Sequence, residues 1–275
     1  MSHPTQTKDP KPAEHPAVAF AIKGLRYMRD ELPKETHFNI DKLGFLPAEC
    51  TDIDINSGSL KDGGLKVLEL RSFDDINVVP EVNKLLQAGA VLGEERGVGN
   101  WYSADDLCNF YCKVFELVIE TPGLPEGHLI ERISSWRPDP EITDECVSSS
   151  MIHWRGLFTL HMRDNSMPDM VCFLANEAPL EDDKIARSEL RCILRMGASK
   201  LRKKEFRHHK IAPVTLVSAS GIYARIVQGY SDGESNCLVL RKSRIIRVDG
   251  VEKQSLEGIM KIACWLLGNP CRKTS

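Results

Sequence analysis

No stretch of this chain stays apolar for the roughly 18 to 20 residues that a membrane-crossing helix needs. Its first sixteen residues are polar and carry Lys and Pro, without the apolar stretch of a secretory leader. They are expected to form a disordered tail, and the protein is expected to be soluble and cytoplasmic. CxxC, HExxH and P-loop motifs are missing, as are a GxSxG in the strand-to-helix setting of a nucleophile elbow and a GxGxxG after a strand. That removes the sequence signatures of several zinc, hydrolase and nucleotide-binding classes. There is no internal repeat and no low-complexity tract. The nine cysteines are odd in number and scattered, mostly within apolar runs, so buried free thiols are expected in place of a disulfide framework.

The composition, 42% apolar and 27% charged over 275 residues, is that of an ordinary globular protein with one large domain or two small ones. Charge is unevenly spread. Residues 41–150 hold 9 basic and 21 acidic residues, whereas residues 187–275 hold 18 basic and 7 acidic ones, against a net charge of −3. Such halves either face each other or stay solvated; alternatively the basic part meets an anionic ligand or an acidic protein partner.

Periodicity predicts a helix over 17–32 ended by Pro33, a strand over 65–71, and a helix from Pro80 to about 92. A further helix is expected over 103–120, capped by Ser103 with Asp106 three residues on. Residues 121–150 read as a long loop or internal boundary, with a strand near 128–133. Beyond it the pattern becomes strands over 151–162 and 170–176, then a helix over 181–206. Strands near 213–218, 222–230 and 237–248 follow, and a last helix spans 254–267. The expected fold is α+β. A mixed or antiparallel sheet from the C-terminal half packs with helices, the N-terminal half is helical, and residues 17–275 make one domain.

Within 187–210, the basic residues include Lys200, Arg202, Lys203, Lys204, Arg207 and Lys210. They form either a solvated helix end or a surface for a nucleic-acid backbone. Phe206 is the only aromatic ring there apart from His208 and His209, so base stacking is not expected in this segment. Arg225, inside a nearly apolar strand, requires an acid such as Asp232 or Glu257, or else a bound anion. The order of elements also suggests a degenerate restriction-endonuclease-like scaffold. Asp169 would stand before one strand and Glu177 at its end as Mg²⁺ ligands, but Pro179 occupies the position where a catalytic Lys belongs. Cys108 and Cys112 share a helix face, and His153 and His161 share a strand face. Without a second ligand set they read as core and surface residues. Residues 218–221 read as a hairpin turn.

The C-terminal block combines His209, Pro213 and the strand 214–218 with Ala224, Arg225, Ile226, Tyr230, Asp232 and Gly233. Leu238, Arg241, Ser243 and then Trp265, Leu266, Leu267 and Gly268 complete it. It resembles a family of uncharacterised filamentous-fungal proteins. His37, Phe38, Asn39, Phe45, Leu46 and Pro47 are similar to the N-terminal part of that family. The resemblance implies a fungal, cytoplasmic accessory protein near specialised-metabolite (toxin or polyketide) biosynthesis, and it carries no catalytic residue or cofactor. The open alternatives are a nucleic-acid-binding or nuclease-like protein and a protein interaction module.

Overall fold

The computed structural model describes residues 14–32, 34–39, 43–44, 46–61, 66–70, 84, 99–116, 118–119, 127–128, 136–138, 148–149, 154–162, 166–249 and 253–271. The described helices are α1 (Pro16–Asp30), α2 (Gly99–Phe115), α3 (Arg187–Arg202) and α4 (Lys253–Leu266). In chain order the strands are β1 (His37–Asn39), β2 (Ala48–Asp52), β3 (Leu68–Glu69), β4 (Val118–Ile119), β5 (Gly127–His128), β6 (Trp136–Pro138), β7 (Ser148–Ser149) and β8 (Trp154–Met162). They continue with β9 (Met170–Asn176), β10 (Lys184–Ala186), β11 (Val214–Ser220), β12 (Tyr223–Asp232), β13 (Cys237–Lys242), β14 (Ile246–Arg247) and β15 (Asn269–Pro270). The fold is α+β.

One mixed sheet in the order β2-β13-β12-β11-β9-β8-β6 organises the molecule, with β7 on β8 and β14 on β12. β9 and β11 run parallel, joined through α3, while β8–β9, β11–β12 and β12–β13 are antiparallel. All seven residues of β9 and all seven of β11 are buried, as a strand covered on both faces requires. Alternation along β9 divides the core in two. Val171, Phe173 and Ala175 pack with α2 and α4, while Met170, Cys172 and Leu174 pack with α1 and α3. Helices therefore cover both faces of the sheet.

Two glycines set close approaches. Gly221, at φ +58°, is the first of two loop residues between paired Ser220 and Tyr223, so of the expected turn 218–221 only Gly221 lies in the loop and 218–220 belong to β11. A Cβ on Gly233 would lie 2.3 Å from the Ala17 nitrogen, which fixes the β12–β13 hairpin against the start of α1.

Several expectations are corrected. The sheet is not confined to the C-terminal half, since β2 and β6 from the first half pair into it. The N-terminal half holds α1 and α2 but also short strands, so it is not simply helical. α2 begins at Gly99, which places Ser103 inside the helix and not at its cap.

The helix expected over 181–206 is shorter, because its proposed first turn has distant partners. Lys184–Ala186 pairs antiparallel with His37–Asn39, Asp182 accepts from the Ile245 N–H at 2.9 Å, and the Glu181 carbonyl accepts from Arg225 at 2.7 Å. At the other end Lys203 turns extended (ψ 137°), and 204–206 form a separate 3-10 turn. The last C-terminal strand is broken into β13 and β14. The helix expected over 80–92, apart from a helical Lys84, lies outside the described residues, as do the tail over 1–13, His153 and most of 121–150.

Candidate anion-binding surface and its buried supports

The basic residues after position 187 separate into buried and exposed groups. Arg187 is buried and donates to the Met28 carbonyl at 2.5 Å and to the Leu32 carbonyl, satisfying acceptors that the end of α1 leaves open. Arg191 lies 5.7 Å over the Trp154 ring, and burial, followed by neighbouring Arg195 and Arg187, brings its pKa down to about 10. Lys200 is only 2% exposed, with its ammonium 4.4 Å from the centre of the Phe206 ring. Of the residues read as a basic surface, Lys200 is therefore part of the interior.

The others follow the end of α3. Arg202, Lys204, Arg207 and Lys210 are exposed and Lys203 is half-buried. Arg202 approaches Glu14 at 4.0 Å and Lys210 pairs with Glu234 at 3.0 Å. Arg207 turns back to the Arg202 carbonyl at 3.3 Å, and Lys204 has no partner among the described residues. Phe206, fully buried, pins the segment to the core between these cations. The surface thus rests on a fixed anchor.

Arg225 is completely buried on β12. Its Nε and Nη2 donate to the two Glu189 carboxylate oxygens at 2.9 and 2.6 Å, and Nη1 donates to the Glu181 carbonyl. Burial disfavours its charge, yet Glu189, by charge and hydrogen bonding, holds its pKa above the ordinary arginine value. The required acid is therefore Glu189, not Asp232 or Glu257. Glu189 also accepts from the Ala186 N–H at 2.8 Å, closing the first turn of α3. Beside this pair, Asn176 at the end of β9 donates to Ser218 at 3.0 Å and to the Ala219 carbonyl at 3.2 Å, and it accepts from Ser188. The carboxyl ends of the parallel strands and the start of α3 are thus filled by mutually paired polar groups. Glu189 could not be singled out from the sequence, because a helix starting at 181 puts it mid-helix.

Asp169 and Glu177 stand at opposite ends of β9, eight residues apart and about 26 Å distant at strand rise, so they do not share one metal ion. Among the described residues no group of three or more His, Cys, Asp or Glu converges as a metal set. Cys108 and Cys112 instead pair with each other. Their hydrogen bond, then burial, raises the Cys108 pKa, and the same bond lowers that of Cys112. His161 is buried on β8.

A cleft of about 450 Å³, which the sequence did not signal, opens beside the end of α1; it is lined by Tyr27, Leu32, Glu35, His37, Phe38 and Lys184, among others. Lys184 and His37 converge there on Glu181 at 2.6 and 3.4 Å. No described helix is long and apolar enough to cross a membrane. Compared with known proteins, the chain matches no family model, no curated protein and no solved structure.

Proposed function

We propose that this protein is an accessory binding protein whose working surface is the basic segment 202–210, and that it engages the phosphate backbone of a nucleic acid. The observation that carries the reading is the sorting of cations. Arg187, Arg191, Lys200 and Arg225 turn inward, while Arg202, Lys204, Arg207 and Lys210 are exposed and Lys203 half-buried around one buried anchor, Phe206, and the acids that meet Arg202 and Lys210 are themselves exposed. Resemblance to filamentous-fungal proteins supports a cytoplasmic setting near specialised-metabolite biosynthesis.

The test is fluorescence anisotropy with single- and double-stranded oligonucleotides at low and high salt. Binding that falls steeply with salt and is weakened by Lys203→Glu with Lys204→Glu is expected. Absence of binding at low salt, or equal binding by the double variant, sinks the reading.

A second reading, a degenerate nuclease-like scaffold, is favoured by the strand-strand-helix-strand order β8, β9, α3, β11 with β9 and β11 parallel. Such an order is fold-level analogy only. Adding Mg²⁺ to the same samples tests it: cleavage would support this reading, through ligands other than Asp169 and Glu177 acting together.

A further inference from the structure

The first turn of α1 is capped by a histidine where most helices use a hydroxyl, carboxylate or amide. His15 sits at the N-cap with extended backbone angles, φ −61° and ψ 131°, and its Nδ1 accepts from the Ala17 N–H at 3.2 Å. Its Nε2 lies 2.8 Å from the carbonyl oxygen of His209, a group that can only accept. One ring nitrogen must therefore offer a lone pair and the other a proton, which is the neutral imidazole protonated on Nε2. An imidazolium has no acceptor and satisfies only the second contact.

Charged groups of both signs surround the ring. Arg202 from α3 and His208 and Lys210 from the following segment lie on the elements packed against His15, with Lys203, Lys204 and Arg207 on the same stretch. Opposing them are Glu14, which approaches Arg202 at 4.0 Å, and Asp232 and Glu234 of the β12–β13 hairpin, with Glu234 already paired to Lys210. The His208 and His209 ring centres are 4.0 Å apart. Burial, followed by the charge of His208, holds the His209 pKa below the ordinary value. A charge on His15 would also face the positive end of the α1 dipole.

We propose that His15 is a pH-operated latch on α1, closed when its ring is neutral and released when Nδ1 takes up a proton. Release frees the Ala17 N–H and loosens the first turns of α1, where Ala17, Val18, Phe20 and Ala21 close the apolar cluster shared with α3.

Amide hydrogen exchange on the full chain at pH 7.5 and 5.5, corrected for intrinsic exchange rates, tests the latch. The wild type is compared with His15→Asn, since Asn caps without titrating. Opening of 17–21 in the wild type should rise about fivefold at the lower pH, the effect of losing one N-cap, while the Asn variant stays level and the amides of β11 serve as control. Equal pH dependence in both proteins, or none in the wild type, overturns the proposal. If the Asn variant does not fold, wild-type NMR decides: the Ala17 amide shift must follow the same midpoint as the His15 ring, and separate midpoints overturn it.

Discussion

Arg225 and Glu189 bury opposite charges against each other, so the cost of changing them depends on whether one or both are removed. Arg225→Met alone leaves Glu189 uncompensated and is expected to destabilise by about 3–5 kcal/mol in urea unfolding. Adding Glu189→Leu should recover much of that loss; equal destabilisation by the single and double variants would refute the pairing argument. Gly233→Ala forces a Cβ to within 2.5 Å of the Pro16 and Ala17 backbone. It is expected to cost about 1–3 kcal/mol, as overpacking does, with the loss concentrated in α1 exchange protection. Thiol chemistry is equally specific. Burial raises the Cys50 pKa to about 11, leaving about a thousandth of it as thiolate at pH 8. Ellman's reagent should therefore reach Cys50 and the fully buried Cys172 and Cys192 only on unfolding.

Among the elements, the 3-10 turn after α3 decides how the basic residues are presented. Phe206→Ala is expected to lose about 3–5 kcal/mol and to weaken oligonucleotide binding through its anchor, whereas Phe206→Leu should lose less of both. Elements whose residues carry their own pattern were legible. The apolar run of β9 could be read as a strand, and α1 followed from apolar residues at helical spacing before Pro33. β10 was not legible, since its three residues become a strand only by pairing with β1 more than 140 positions earlier. Its absence from the reading moved the apparent start of α3 and hid Glu189. The basic segment itself was visible as a charge run, but composition could not separate buried Lys200 from exposed Lys204.

For the whole molecule, the net charge of −3 makes any attraction to an anion local to the basic surface. If Lys203, Lys204 and Arg207 each neutralise a phosphate, log K should fall against log salt with a slope of about −2 to −3. The Lys203→Glu, Lys204→Glu variant should lose most of that slope. Stability should also decline on mild acidification. The His209 pKa is lower in the folded state than in the unfolded chain, so the unfolded chain takes up its proton first. That contribution is fully present above the unfolded value, near 6.5, and diminishes as pH falls towards the folded one. Urea midpoints at pH 7.5, 6.5 and 5.5 check the sign, and a rising midpoint on acidification would contradict it.

The sequence by itself determined the α+β class, the identity of the long core strands and the asymmetry of charge, because apolar periodicity and charge are local properties of the chain. Tertiary structure alone decided which cations have partners, where α3 begins and how far apart Asp169 and Glu177 stand. The physical reason is that ion pairing, burial and strand pairing join residues distant in sequence. Arg225 reaches Glu189 across 36 positions, and His15 reaches the His209 carbonyl across 194.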